Sequence, residues 1–399
     1  MSRRVYLDHN ASSPLRPEAR EAMLRVMDMP GNPSSIHAEG RALKGEIERA
    51  RASVAKLVGA PFERGYERNV YFTSGATEAA NWALGDRPCG ELAWTVCMTA
   101  AEHPCLLEAC PPADETCMVP VLTDGTVDPA VWDETLNPHY RGYERATGCV
   151  TAVVQLANSE TGVLHDVQHV ADNVHWWQWT LVCDAVQGAG RIDLFERTRD
   201  AGIVFMSAHK IGGPRGVGAI IVRDDTNLPM PMLHRPMLRG GGQERNKRAG
   251  TENVVGIAGF GAAAEAALRD LDDMPRIRAM RDRLEDGLRD LSRRHGATLH
   301  IFGEGAERLP NTSCFAVEGV EAQTALMGLD LDGFAVSSGS ACSSGKVGHS
   351  HVLAAMGVPD HVAACALRVS LGWTNEDDDI PAFLAAYDRI VSRVLARAA

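Results

Sequence analysis

A lysine in a glycine-rich loop is the first residue whose surroundings suggest chemistry. Lys210 follows the apolar run IVFMSA and precedes GGPRG and a second apolar run, VGAIIV. Burial or nearby positive charge lowers the pKa of such an amine and makes it a nucleophile toward carbonyl groups, including those of carbonyl cofactors. The alternative is a solvated loop lysine without function, so Lys210 indicates a cofactor site only in combination with other motifs.

A carboxylate and an amide follow another apolar run, in TLVCDAVQGAG. Asp184 stands at the carboxyl end of this predicted strand, where open parallel sheets present groups to ligands. Pyridoxal phosphate (PLP) requires a carboxylate against its pyridinium nitrogen, and Gln187 could reach the ring hydroxyl from the same turn. Asp184 could instead cap a helix.

The stretch VYFTSGATEAANWAL predicts a strand, a Ser-Gly turn and a helix with Thr77 in its first turn. The free N–H groups and positive dipole end of such a helix can bind a phosphate. Ser74 or Thr77 could instead cap the helix.

Three more residues could react or bind a ligand. His103 precedes a proline in AEHPC, so its imidazole lies in a loop, either on a planar ligand or without function. Arg368 lies in the apolar run ALRVSLG, where a guanidinium needs an anion, either a substrate carboxylate or an internal partner. Cys342 lies in the small-residue loop SSGSACSSG, and its thiol is either reactive or an incidental surface group.

The elements that must position these residues alternate from about residue 70. Short apolar runs interleaved with helical patterns predict an α/β domain with a mostly parallel sheet, covered on both faces. Beyond about residue 254, two long helical patterns, four short apolar runs and a final helix over 376–396 predict a smaller α+β domain. We therefore expect a large domain over 15–255 and a small domain formed by 1–14 and 256–399.

The composition narrows the function classes. The 399 residues are 45% hydrophobic and 23% charged, which is typical of a globular protein, and the net charge of -12 disfavours non-specific nucleic-acid binding. The basic run over 239–248 is a weak exception, which we interpret as an active-site or dimer loop in preference to a tRNA-linked surface.

We find no signal-peptide pattern and no apolar run long enough to span a membrane, so a cytoplasmic location is expected. Without a C-x-x-C pair, the ten cysteines predict neither a disulfide scaffold nor a zinc ribbon, and Cys97, Cys149 and Cys183 are expected to be buried.

Taken in order, the motifs resemble those of the cysteine desulfurases, within the class V aminotransferase-like PLP enzymes. The resemblance covers nearly the whole chain and includes YLDHNASSPLRPE, FTSGATEAAN, AEHP, QLANSETGVLHDV, CDAVQGAG, SAHKIGGPRGVGA, GGGQERNKRAGTENV and SSGSACSSG. It implies a homodimer of the PLP fold type I, with a mostly parallel seven-stranded sheet in the large domain and the cysteine loop in the small one.

The resemblance also implies roles for single residues. Lys210 would bind the cofactor as a Schiff base, His103 would stack on its ring and act as an acid and base, and Cys342 would become a persulfide. The residues matched to the rest of the cofactor site are Asp184 for the ring nitrogen, Gln187 for the ring hydroxyl, and Ala76, Thr77, Ser207, His209 and the other subunit's Thr251 around the phosphate. The residues matched to the substrate site are Asn158 and Arg368.

The reaction implied is the conversion of L-cysteine to L-alanine, with sulfur passed from Cys342 to an acceptor such as an iron–sulfur scaffold protein. Ser159 stands where many members have asparagine, so the acceptor stays open, as do additional sulfur-carrier roles for Cys314 and Cys365. The alternatives are a selenocysteine lyase, another aminotransferase-like PLP reaction, or a relay protein in which Cys342 accepts sulfur or transiently binds iron. A relay leaves Lys210 and Asp184 unexplained, and no resident metal is expected.

Overall fold

The computed structural model describes residues 4–59, 69–85, 93–110, 116–136, 148–176, 179–223, 236–338 and 350–398. The α-helices are α1 Pro17–Met27, α2 Ala38–Leu57, α3 Ala76–Leu84, α4 Pro104–Leu107, α5 Pro129–Leu136, α6 Val167–Trp176, α7 Leu194–Thr198, α8 Gln243–Asn246, α9 Val254–Arg269, α10 Met274–His295, α11 Ala322–Leu331, α12 His351–Ala355, α13 Asp360–Ala363 and α14 Asp379–Ala398. The strands are β1 Val5–Tyr6, β2 Val70–Thr73, β3 Ala93–Thr99, β4 Thr116–Val119, β5 Gly148–Gln155, β6 Thr180–Asp184, β7 Ile203–Ser207, β8 Gly218–Val222, β9 Leu299–Phe302, β10 Thr312–Val317, β11 Phe334–Ala335, β12 Ser337–Ser338 and β13 Ala366–Ser370. Within these residues, no helix combines the length and the apolar character needed to cross a membrane.

The larger sheet has seven strands in the order β2-β8-β7-β6-β5-β3-β4. Only β8 runs against the others, since it pairs antiparallel with both β2 and β7, whereas the remaining neighbours are parallel. Every residue of β6, β7 and β8 is buried, because helices cover both faces of the sheet. The α/β fold with a mainly parallel seven-stranded sheet is therefore confirmed.

Side chains of one strand alternate between two apolar cores. Leu181 and Cys183 of β6 face a core shared with α2, α6 and α9, whereas Val182 between them faces the core under α3. Cys97 and Cys183 are buried, as predicted from their apolar runs, and Cys149 lies in β5.

The smaller sheet is antiparallel, with the order β12-β13-β10-β9. Helices α10, α11 and α14 cover one face, and Val5 and Leu7 from the start of the chain join the same core. Strand β1 pairs with β11, in parallel. The run FAVSSG, one of the four short apolar runs beyond residue 254, forms two short strands, β11 and β12, that belong to different sheets.

Helix α9 packs against α1 and α2. Its buried residues Ile257, Phe260 and Ala264 lie in the core of the larger sheet. Helix α10 follows, with Pro275 in its first turn, where the missing N–H costs no hydrogen bond.

Candidate active site

A cavity of about 430 Å³ opens at the edge of the larger sheet where the parallel strands end. Because β8 runs in the opposite direction, its first residues lie at this edge too. We call this space the strand-end cavity; the residues that line it are Ala11, Ser12, Ser74, Gly75, Ala76, Thr77, His103, Cys105, Gln155, Ala157, Ser159, Asp184, Val186, Gln187, Ser207, His209, Lys210, Arg215 and Gly216. Its volume suits a small cofactor or substrate.

Lys210 reaches the cavity from the short 3-10 turn that follows β7. Its Nζ donates to the backbone oxygens of Asn10 at 2.6 Å and Ala11 at 3.1 Å. The N-terminal segment therefore positions the amine, and Lys210 is not an ordinary solvated loop lysine.

Asp184 lies at the end of β6 and is buried. Its Oδ1 accepts a hydrogen bond from Val186 N at 2.8 Å, so it stabilises a turn and does not cap a helix. Burial raises the pKa of Asp184 to about 6, an effect opposed by the Val186 N–H group and by Lys210. The carboxylate is thus ionised at neutral pH and can accept a hydrogen bond from a protonated ring nitrogen.

The N-terminus of α3 lies at another part of the cavity wall. Gly75 is its N-cap, so neither Ser74 nor Thr77 holds the N-cap position that the sequence left open, and among the described residues no side-chain cap of this helix is present. The first residue of β8, Gly218, is needed here because a Cβ would approach the backbone of Gly75 to 2.8 Å. The uncapped N–H groups of this helix can bind an anion.

Ser207 and His209 flank the same part of the cavity. His209 Nδ1 lies 3.2 Å from Ser12 Oγ. Burial, and then the charges of Lys210 and Arg215, lower the pKa of His209 to about 4. At neutral pH His209 is a neutral hydrogen-bonding group.

His103 is the N-cap of α4, and its Nδ1 accepts from Cys105 N at 3.1 Å. Burial lowers its pKa to about 4, with smaller contributions from Lys210 and His351. Because Nδ1 accepts, the proton of the neutral ring is on Nε2. His103 therefore presents a neutral ring to the cavity.

Asn158 and Arg368 do not line the cavity, although Ser159 beside them does. Asn158 Oδ1 accepts from the backbone N–H groups of Glu160 at 2.9 Å and Thr161 at 3.0 Å, so it stabilises its own loop. Arg368 is buried on β13 and donates to Asp8 Oδ1 at 2.8 Å and to Ser159 O at 3.0 Å. The guanidinium thus has an internal ion pair, one of its two expected partners.

The structure does not place the remaining expected residues at the strand-end cavity. Thr251 is exposed and outside the strand-end cavity, and Cys342 lies outside the described residues. Cys314 and Cys365 are buried, and burial raises the pKa of each thiol above its usual range, which disfavours the thiolate.

Sequence reasoning missed two contributions. The carbonyls of Asn10 and Ala11 contact Lys210, 200 and 199 residues away, and only the motif YLDHNASS pointed to this segment. Arg191 contacts Gln187, and the only local signal was a basic residue four positions later in the same turn.

The chemistry of the lining residues fits PLP. An uncapped helix terminus with Ser207 and His209 suits a dianionic phosphate, and a buried carboxylate, Asp184, suits a pyridinium nitrogen. A lysine amine, Lys210, lies on the same cavity and suits the aldehyde.

Comparisons with known proteins identify the family. The aminotransferase class-V family model matches residues 5–383. A cysteine desulfurase from Cereibacter sphaeroides is 38% identical, over 93% of this chain and 92% of that protein, and one from Enterobacter agglomerans is 38% identical, over 98% and 93%. The solved structure of a NifS-like protein from Rickettsia africae ESF-5 matches with a TM-score of 0.84 at 31% identity, over 98% of this chain and 99% of that one. The family expected from the motifs is thus confirmed, and the chain belongs to the class-V aminotransferases, among the cysteine desulfurases.

Proposed function

We propose that this protein uses PLP, bound through Lys210, to take sulfur from L-cysteine and release L-alanine. The family is generally PLP-dependent, and the named relatives favour a desulfurase over a selenocysteine lyase or a transaminase. The observation that carries the proposal is the joint placement of Lys210, Asp184 and His103 on one cavity beside the uncapped N-terminus of α3.

The residues of the cavity divide the work by chemistry. Bound PLP would supply an electron-accepting ring that stabilises the negative charge left on Cα when the substrate loses its proton. Asp184 Oδ2 would hold the ring nitrogen protonated, and Gln187 would contact the ring oxygen. Lys210 Nζ, once released by the substrate amine, would take the Cα proton. His103 would pack on the ring and exchange protons through Nε2.

Sulfur removal would depend on a second thiol. The Cys342 thiolate would attack the substrate sulfur, so that an S–S bond forms as the carbon–sulfur bond breaks, and the carbon skeleton would take up a proton and leave as alanine. Arg368 and Asn158 would hold the substrate, which requires Arg368 to share or exchange its contact with Asp8.

The proposal extends to the assembly. A homodimer would bring Thr251 to the phosphate of the other subunit, and an iron–sulfur scaffold protein in the cytoplasm would accept the sulfur. We also propose two domains, with residues 1–14 in the smaller one because Val5 and Leu7 lie in its core. The packing of α9 in the core of the larger sheet supports a larger domain that extends beyond residue 255 to the end of α9.

The test uses the visible spectrum of the purified protein incubated with PLP, followed by the alanine and sulfide released from L-cysteine with a reductant. Wild type is compared with Cys342→Ala and, as a matched thiol control, Cys110→Ala, which lies outside the strand-end cavity. We expect a cofactor band in all three and cysteine-dependent alanine in all but Cys342→Ala. A band with alanine release independent of Cys342 would reject the persulfide step, and no band in wild type would reject the proposal.

A further inference from the structure

A buried arginine contacts Gln187, one of the residues that line the strand-end cavity. Arg191 Nη1 donates to Gln187 Oε1 at 2.5 Å and to the Gln187 backbone oxygen at 2.7 Å, and its Nη2 donates to His9 O at 3.2 Å. Arg191 is only 6% exposed. Its hydrogen-bond partners among the described residues are all neutral oxygens, which is unusual for a buried guanidinium.

The turn after β6 brings Arg191 to this position. Gly190 adopts a φ of +67°, in the left-handed region, and a Cβ there would approach the Ala267 side chain of α9 to 2.8 Å. The N–H of Arg191 then donates to Gly188 O at 3.1 Å. Glycine at 190 therefore lets the chain fold back, so that the arginine reaches the side chain four residues earlier.

Two contacts fix which way the Gln187 amide points. A guanidinium can only donate, so the atom that faces Arg191 must be the amide oxygen. A backbone carbonyl can only accept, so the atom that faces Asn10 O, at 3.1 Å, must be the amide nitrogen. The second hydrogen of Nε2 has no partner among the described residues, and Gln187 lines the cavity.

We propose that Arg191 is a positioning residue that makes Gln187 a hydrogen-bond donor, and not an acceptor, toward the ring oxygen of the bound cofactor. This inference rests on the proposed function. A donor to the ring oxygen favours its ionised form, so the bound cofactor loses its proton at a lower pH than it would otherwise. Without Arg191, only the contact with Asn10 O holds the amide in this orientation, so its oxygen can also turn toward the ring and that advantage is reduced.

The groups around Arg191 keep their charge states across neutral pH. Burial, and then Arg368, lower the pKa of Arg191 to about 9, which leaves it charged. Burial, and then Arg191 and Arg16, lower the pKa of His9 to about 3, which leaves it neutral. Asp184, with a pKa of about 6, is the nearby acid on β6, and Lys210 faces it across the cavity.

The test follows the visible absorbance of the bound cofactor against pH in the holoenzyme. In Arg191→Met we expect the midpoint of the spectral transition to rise by about one pH unit, a tenfold change in proton affinity. Arg191→Lys retains a charged donor and should shift the midpoint less. Gln187→Glu retains the acceptor for Arg191 but offers no donor, so it should raise the midpoint even if Arg191→Met fails to fold.

The matched control is Arg223→Met, another buried arginine, which directly follows β8 at the end away from the cavity and donates to backbone oxygens of Val58 and Thr198. It should titrate like wild type. A band in wild type together with an unshifted midpoint in folded Arg191→Met, or in Gln187→Glu, would overturn the inference and leave the proposed function intact. The absence of a band in wild type would overturn both.

Discussion

The strand-end cavity and the surroundings of Arg368 bury charge in opposite ways. At the cavity, Asp184 and Lys210 are held by backbone groups and face a space large enough for a ligand. At Arg368, the guanidinium already donates to the carboxylate of Asp8 and to Ser159 O. Under the proposed function, the part of the site that would hold the cofactor is therefore formed in advance, whereas a substrate carboxylate at Arg368 would compete with the Asp8 carboxylate.

Two buried carboxylic acids, Glu102 and Glu160, differ in a similar way, in how far internal groups stabilise their ionised forms. Near the cavity, Glu102 Oε1 accepts from Thr99 Oγ1 at 2.9 Å and Gln155 N at 3.1 Å, but its Oε2 has no partner among the described residues, and burial raises its pKa to about 8. Close to Arg368, Glu160 Oε2 accepts a hydrogen bond from Ser350 Oγ at 2.6 Å. Burial raises the pKa of Glu160 to about 7, opposed by the Ser350 hydrogen bond and Arg368.

The largest expected effect is at the pre-formed side. Lys210→Ala should lose the cofactor's visible band and reduce cysteine-dependent alanine release by more than about 10³-fold, because both the covalent link and the proton acceptor disappear. Absorbance and alanine assays measure this, with Lys56→Ala on the exposed face of α2 as control. A variant that keeps both the band and turnover would remove Lys210 from the mechanism.

The next effect concerns stability. In the unfolded chain Glu102 ionises near its ordinary pKa of 4.5, whereas in the folded protein it keeps its proton up to about pH 8. Its contribution to stability is complete below the unfolded pKa and is lost as pH rises through the folded one. Relative to Glu102→Gln, wild type should therefore lose on the order of 3 kcal/mol of unfolding free energy between about pH 5 and pH 9.

Urea unfolding at a series of pH values measures this loss. Glu160→Gln is the matched comparison and should remove a smaller pH dependence that ends near pH 7, because Ser350 and Arg368 stabilise the ionised form. Equal profiles for wild type and Glu102→Gln would show that Glu102 is ionised in the folded protein.

A smaller effect is expected at Arg368, which is already paired with Asp8. Arg368→Lys should raise the KM for L-cysteine by about 10- to 100-fold with little change in kcat, because a point charge replaces a planar fork. Steady-state kinetics measures this, and Arg281→Lys, a buried arginine that donates to Leu309 O, is the control. An unchanged KM would remove Arg368 from substrate binding.

The smallest expected effect tests whether Asp8 competes with the substrate carboxylate for Arg368 or orients the Arg368 guanidinium. Asp8→Asn should lower the KM for L-cysteine by about threefold to tenfold, since the guanidinium then loses its hydrogen-bonded carboxylate and binds the substrate carboxylate more readily. Asp270→Asn, which weakens the Asp270 pair with Arg16, controls for the loss of a partly buried ion pair as such. A higher KM in Asp8→Asn would mean that Asp8 orients Arg368 and does not compete with the substrate.

Local patterns were sufficient for much of this description. Apolar runs predicted β2 to β10 and β13, and those of β6, β7 and β8 are the clearest because a strand buried on both faces must be continuously apolar. Asp184 was expected at the carboxyl end of its strand, where open parallel sheets present groups to ligands, and Lys210 in the loop just past another strand; both line the strand-end cavity. The sequence by itself therefore determined the fold class and the chemical types available at the site.

Only the tertiary structure decided how these groups are paired. Asp8 and Arg368 are 360 positions apart, and Lys210 contacts the carbonyl of Asn10 200 positions away, so no local pattern could predict either contact. The opposite direction of β8 and the division of FAVSSG between two sheets were equally out of reach. Hydrophobic periodicity predicts which side of an element is buried, but it does not predict which distant polar group contacts that side. These long-range contacts determine which buried charges are paired within the protein and which remain available to a ligand.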